Sequence, residues 1–584
     1  MTQVQTTRPM TERLEWPHAE VRLSGPASII EADGLICIAR GTPEFPTETT
    51  LAAEAPVAAA WLALFRQHGA DAPTKVHGRF GLAIIDTRAR SVFLAADRFG
   101  TAPWCFTRRG ERLIVADRAD LAADTHSALS PSAVYSYLFH HMIPSPTTIF
   151  DDVKRLEGGH RLQWNGAQPS IDAWWRPVFT EPRSLDFADA KAQFMGIIEN
   201  AVRRGSATGK VGSFLSGGTD SSTVAGMLCK ILGEPAETYS MGFDASGYDE
   251  MEYARTASQH FGTKHHEYYV TPEDLLDGIP KVARHYDQPF GNSSAVPAWL
   301  CASLAKRDGI DTLLAGDGGD ELFGGNTRYA KQQVFGWYDR VPAPLRSGVL
   351  EPLLSQPISK RLPVFRKAAS YVDQAKVPLP HRIHQYNLLV RLGANQVFTP
   401  DYLSHIDLNG PAQAHEAAWQ RIQASSDLNR QLAFDWKFTL EDNDLPKILG
   451  TTELANIGVG FPLLDDALID FSLNLPLDYK LRGFQLRWFF KEALRDFLPE
   501  AIIKKKKHGF GLPFGVWACQ HAGLRNLAGD TLSQLKQRRI IQPAFIDRLI
   551  NELLPEHPGY YGELVWILMM MELWLSGKPN RNDE

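Results

Sequence analysis

The segment Val211–Leu215 is a short apolar run that passes without a spacer into Ser216-Gly217-Gly218-Thr219-Asp220-Ser221-Ser222. A stretch follows in which Val224, Met227, Leu228, Ile231 and Leu232 share one helical face. A buried strand that turns through glycine directly into an amphipathic helix is the repeating unit of parallel α/β sheets. The rhythm continues: Ala236–Phe243 reads as strand, Asp249–Phe261 as helix and His265–Val270 as strand, then two helices precede a strand at Thr312–Ala315. With an amphipathic helix at about Phe187–Arg204 in front, this predicts a doubly wound parallel sheet with ligands beyond the carboxyl ends of its strands. Beyond Gly325 the pattern is mainly helical, with Pro-rich joints at Val341–Pro363 and Pro378–Pro380, and the tail Lys578–Glu584 reads as frayed.

The first third has a different pattern. From Gly78 to Asp117 the runs GRFGLAIID, SVFLAADRFG, APWCFTRRG and RLIVAD stand at hairpin spacing, which predicts an antiparallel meander. Ala52–His68 reads as a helix, and no alternation of strand and crossover helix occurs before about Thr180. The first domain, 1–180, is therefore expected to be α+β, and the second to span 184–584. His140, His141, Trp174 and Trp175 fall near their junction and carry no assigned chemistry.

Charge and cysteine usage narrow the function classes. Lys+Arg 61 against Asp+Glu 67 leaves a net charge of −6, which argues against a nucleic-acid partner. The five cysteines, Cys37, Cys105, Cys229, Cys301 and Cys519, form no C-x-x-C pair, which fits a reducing compartment. Met1–Met10 lacks the apolar core of a secretory signal, and the most apolar run, Val565–Met571, is too short to cross a membrane. A cytoplasmic protein with no membrane partner is expected; oligomeric state is not legible.

Two turns carry the chemistry. Ser216–Ser221 presents backbone N–H groups and hydroxyls at a helix N-terminus, where the helix dipole favours an anion. It lacks the lysine of a Walker A loop, and taken alone it reads equally well as a plain glycine turn. The second turn, Gly316-Asp317-Gly318-Gly319-Asp320-Glu321-Leu322-Phe323-Gly324-Gly325, places three carboxylates after another apolar strand. Three unpaired carboxylates beside a phosphate would repel it unless a hard cation came between, so Mg²⁺ held by Asp220 and Asp320 with phosphate oxygens is inferred.

The pairing of SGGTDSS with GDGGDELFGG, together with Asp287-Gln288-Pro289-Phe290 and VGFPLLD at Val459–Asp465, resembles the synthetase domain of asparagine synthetases and their relatives. The resemblance covers roughly Ser184–Leu575, and GRFGLAIID and AADRFGTAPW extend it to the family's amidotransferase core. It implies an N-terminal Ntn-hydrolase-like domain followed by a PP-loop ATP pyrophosphatase domain with a helical C-terminal part. It further implies that Ser216, Gly217, Gly218, Asp220 and Ser221 hold the pyrophosphate part of ATP, while Leu215, Met241 and Gly316 line the adenine pocket. The implied reaction is adenylation of a small-molecule or peptide carboxylate, with release of pyrophosphate, then attack by an amine donor to form an amide. Lys505, Lys507, Gly509 and Phe510 match the family's late motif, so Lys507 would face the phosphates, although Lys504–Lys507 also reads as a solvated basic run. Asp317 stands where relatives place Glu or Tyr to help deprotonate the amine.

Glutamine-using relatives begin Met-Cys-Gly-Ile, whereas this chain has Thr2 followed by a polar stretch without strand pattern. The Asn-Gly-Glu segment that holds glutamine in relatives is also missing, since Ile36–Gly41 reads ICIARG. Cys37 and Cys105 are internal and read as core. The first domain is therefore expected to lack glutaminase activity, as in lactam synthetases and lasso peptide cyclases. The alternatives are an asparagine synthetase using aspartate and ammonia, a PP-loop enzyme modifying transfer RNA, and a non-catalytic nucleotide-binding scaffold.

Overall fold

The computed structural model describes residues 12–46, 55–346, 348, 352, 371–385, 387–505 and 511–577. Thr2, most of the joint at 341–363, the motif residues Lys507, Gly509 and Phe510, and the tail from 578 lie outside the described residues.

Two sheets face each other in the N-terminal part. One has the order β1 (Glu12–Glu15), β2 (Ala19–Leu23), β8 (Arg112–Ala116), β7 (Cys105–Arg109), β9 (Lys154–Arg155). The other has the order β11 (Ser170–Ala173), β10 (His160–Trp164), β6 (Ser91–Ala96), β5 (His77–Asp86), β4 (Leu35–Glu44), β3 (Ser28–Ala32). Period-two alternation makes this sandwich. Ile36, Ile38, Leu94 and Val115 fill the space between the sheets, while Cys37, Ala39, Leu82 and Ile84 point outward onto the helix Val57–His68 and its buried Trp61.

Two sequence expectations are corrected here. The four runs between Gly78 and Asp117 are two hairpins, one in each sheet, and β2 joins β8 in parallel. The polar leader also contains a strand, β1, whose alternating half-buried and exposed residues ERLE carry too little apolar signal to be seen in the sequence.

The third sheet has the order β14 (Lys264–Val270), β13 (Glu237–Phe243), β12 (Val211–Phe214), β15 (Thr312–Leu314), β16 (Gly458–Gly460), and every pairing is parallel. Its two faces are covered separately. Leu314 packs with Val224, Leu228 and Ala254 on one side, and its neighbour Leu313 packs with Tyr239, Cys301 and Ala305 on the other. Helix ends follow local chemistry: the helix Pro272–His285 starts at a Thr271–Asp274 capping box, and the helix Thr219–Leu232 stops at Gly233, φ 69°. The chain order runs outward from β12 in both directions, so the sheet's switch point lies between β12 and β15. β16, which overlaps the start of the VGFPLLD motif, was not legible as a strand because GVG has no side-chain pattern.

The parts interlock. Tyr137 from the helix Pro131–His140 donates to the Ile567 carbonyl at 2.8 Å, within the buried C-terminal helix Pro558–Gly577 that contains the apolar run Val565–Met571. Arg79 of β5 donates to the carbonyl of Val459 in β16 at 2.7 Å. Arg98 reaches Asp466 at 3.0 Å and Asp470 at 2.7 Å. Among the described residues, no helix is long and apolar enough to cross a membrane.

Candidate active site

The carboxyl ends of β12 and β15 open into a cavity of about 1010 Å³. Its wall includes Leu215, Ser216, Gly218, Asp220, Ser221, Met241, Gly316, Asp317 and Asp320. Gly217 is placed differently: with φ 67° it backs onto Tyr253 and Ala254 of the helix Met251–Phe261, too tightly for a side chain, and so shapes the loop from behind.

The first loop is held by its own hydroxyls. Ser221 Oγ accepts from the Ser216 amide at 3.1 Å and lies 3.0 Å from Ser216 Oγ. Gly218 caps the helix that follows, with no side-chain cap bond, so the first-turn N–H groups face the cavity under the positive end of the helix dipole. Lys505, which also lines the cavity, closes the loop, its Nζ 3.4 Å from the Gly217 carbonyl and 3.1 Å from Glu250.

The second loop meets the first at glycines. A Cβ on Gly319 would collide with the carboxylate of Asp220, one on Gly325 with that of Asp320, and one on Gly318 (φ 99°) with the side chain of Leu464 from VGFPLLD. The glycines of GDGGDELFGG therefore permit close approach to the first loop at Gly319, within the second loop at Gly325 and to VGFPLLD at Gly318.

Charge pairing corrects the sequence argument that the three carboxylates are unpaired. Arg487, which sequence reasoning missed, donates from Nη1 to Asp220 at 2.8 Å and Asp320 at 2.7 Å, and from Nη2 to the other Asp220 oxygen. Burial opposes its charge, but Asp220 and Asp320 outweigh that and hold its pKa above the ordinary arginine value. Lys491, one turn further along, also lines the cavity; burial first, and then Arg487, lower its pKa. Asp317 lies 3.9 Å from Lys447, which is 3.2 Å from Asp444. Burial, opposed by the Lys447 ammonium and aided by the carboxylates of Asp444 and Asp220, raises the Asp317 carboxyl to about 6.

Among the described residues, no three His, Cys, Asp or Glu form a self-sufficient metal site. Two convergent hard carboxylates already gathered round one cation nonetheless fit Mg²⁺ completed by phosphate oxygens. Neither Arg487 nor Lys447 belongs to a recognisable motif. The one hint for Lys447 was the acidic run Glu441–Asp444 just before it, and for Arg487 there was none.

Other singled-out residues serve the framework. Asp287 accepts from the Ala119 amide at 2.8 Å and from Arg155 at 2.5 Å, and Gln288 accepts from the Ile149 amide at 3.2 Å. That motif therefore ties the parallel-sheet part to the N-terminal sheets. Trp175 stacks on Trp436, Trp174 donates to the Ala96 carbonyl, and His140 Nε2 lies 2.8 Å from His415 Nε2. His141 is turned toward Glu563 at 3.7 Å. Cys37 and Cys105 are fully buried, and burial raises both thiols, that of Cys105 to about 12.

Comparison with known families finds two matches: the asparagine synthase model over residues 193–576 and the glutamine amidotransferase domain model over 58–175. The glutamine-hydrolyzing asparagine synthetase 1 of Bacillus subtilis is 23% identical over 533 residues, covering 88% of this chain and 80% of its own. A putative glutamine-hydrolyzing asparagine synthetase of Mycobacterium tuberculosis is 26% identical over 535 residues, covering 88% and 78%. The amidase chry2 of Gibberella zeae is 25% identical over 284 residues, covering 45% and 42%.

Proposed function

This chain belongs to the asparagine synthase family, and from that premise we propose that it is an AMP-forming ligase that adenylates a substrate carboxylate and passes the acyl group to an amine. The observation that carries the reading is the convergence of two loops, a hundred positions apart, on one cavity at the switch point of the sheet. A carboxylate is a poor electrophile at neutral pH, and adenylation supplies a leaving group.

In this reading the Ser216–Ser221 loop and the helix N-terminus bind the departing pyrophosphate, with Lys505 and Lys507 adding positive charge. Asp220 and Asp320 would hold Mg²⁺, which supplies charge neutralisation on the phosphates. Leu215, Met241 and Gly316 border the adenine. Asp317 takes the proton of the attacking amine, and Lys447 with Asp444 keeps that carboxylate oriented. The domains divide at 180/184.

The N-terminal domain acts as a brace without glutaminase activity. Supporting this are ICIARG at Ile36–Gly41, in place of the Asn-Gly-Glu segment that holds glutamine in relatives, and the burial of Cys37 and Cys105. The amine therefore comes from an organic donor, and intramolecular closure of a peptide or small molecule is the favoured case.

The test is a screen of carboxylates and precursor peptides for ATP turnover, with products separated by chromatography. AMP and pyrophosphate are expected; ADP would refute the reaction type. Glutamate released from glutamine would refute the loss of glutaminase. Efficient ATP-dependent asparagine formation from aspartate and ammonia would favour the alternative reading.

A further inference from the structure

Arg487 occupies the point where the two acidic loops converge, and three features show how strictly it is held there. Its side chain is only 6% exposed, and its guanidinium lies 4.1 Å from the centre of the Phe490 ring. Its Nε is buried without a hydrogen-bond partner among the described residues, so all of its pairing runs through the two terminal nitrogens and their carboxylates. Its backbone, at φ 56° and ψ 39°, is left-handed, a conformation that costs a side-chain-bearing residue energy and persists only where the surroundings impose it.

We propose that Arg487 is a tethered counter-ion that holds Asp220 and Asp320 together in the nucleotide-free protein and excludes a divalent cation until nucleotide arrives. This rests on the ATP-dependent reading above. The forked guanidinium engages both oxygens of Asp220 and one of Asp320, the same hard donors a divalent ion needs. A cation arriving alone must displace a buried guanidinium and leave its charge uncompensated, which is strongly unfavourable. A cation arriving with a triphosphate brings an excess of negative charge, to which Arg487 transfers its hydrogen bonds. Metal and nucleotide then bind with positive coupling, and the coupling is reciprocal.

The experiment measures Mn²⁺ binding to the full-length protein by electron paramagnetic resonance of the free ion, with and without α,β-methylene-ATP, a nucleotide that cannot be cleaved at the reacting bond. In the wild type, Mn²⁺ alone should bind weakly and the nucleotide should tighten it on the order of tenfold or more. Arg487→Met should bind Mn²⁺ alone on the order of tenfold more tightly than wild type and lose most of the coupling. Arg487→Lys, which keeps the charge without the fork, should restore part of the exclusion, and adding Asp220→Asn to Arg487→Met should abolish the gained binding.

Wild type binding Mn²⁺ alone as tightly as with nucleotide would overturn the proposal, a result that does not depend on any variant folding. Equal Mn²⁺ affinity in the wild type and a folded Arg487→Met protein, or in Arg487→Lys and Arg487→Met, would also overturn it. Failure of the nucleotide itself to bind would instead refute the ATP-dependent reading, so the two failures are distinguishable.

Discussion

Gly316 of the second loop backs directly onto Ser221 of the first: a Cβ at 316 would lie 2.7 Å from the Ser221 amide nitrogen. The neighbour is backbone, which cannot swing aside as a side chain could. Gly316→Ala must therefore push the loops apart, and a displacement of about 1 Å at a reacting centre costs on the order of 10²-fold in rate. Substrate-dependent pyrophosphate release should fall by that amount, with a stability loss of about 1–3 kcal/mol from overpacking. Gly196→Ala is the control. It lies in the helix Phe187–Gly205 with open space around its Cβ position, and it should stabilise by up to ~1 kcal/mol without touching activity.

Asp317 supplies a pH signature. With its carboxyl raised to about 6 by burial, it is the active, unprotonated base only above that pH. Amide formation should fall about tenfold per pH unit as pH drops below it, provided the later step limits the rate. Lys447→Met removes a nearby cation that favours the charged form, so this limb should move to higher pH at a fixed amine. A pH–rate profile that does not shift would show that Asp317 is not the group titrating.

Lys480 is fully buried, with its Nζ 2.8 Å from Asn429 Oδ1, and burial lowers its pKa to about 7. Between that value and its ordinary 10.5, the unfolded chain binds a proton that the folded protein refuses. This group's destabilisation therefore accumulates as pH falls from 10.5 toward 7, at about 1.4 kcal/mol per pH unit, and is constant below. Lys480→Met removes that slope. Denaturant unfolding of both proteins at pH 7 and pH 9.5 should show the stability difference, variant minus wild type, shrinking as pH rises. A difference independent of pH would contradict a neutral-leaning Lys480.

Arg79 couples the N-terminal sandwich to the active-site sheet through the Val459 carbonyl, and its guanidinium lies 5.6 Å from the Phe461 ring centre. Val459 sits in β16, beside the strand that ends at the second loop. If the N-terminal domain serves as a brace, Arg79→Met should cost about 1–3 kcal/mol and lower pyrophosphate release as well. Lowered stability with unchanged turnover would leave the domain a purely structural appendage.

The strands and helices from Val211 to Leu314, and the glycine turns between them, were legible because strand period, helix period and turn chemistry depend on residues a few positions apart. For the same reason SGGTDSS and GDGGDELFGG could be read as paired loops: each follows its strand directly, and parallel strands present their carboxyl ends on one side. Partners across the fold left no such trace. Which sheet received each hairpin between Gly78 and Asp117, and the recruitment of GVG at 458–460 as a fifth parallel strand, were decided by packing. The same holds for the guanidinium at Asp220, which comes from 267 positions away. A lone arginine has no periodicity to announce it; only the closed tertiary structure, which brings two half-buried carboxylates together and must neutralise them, selects it.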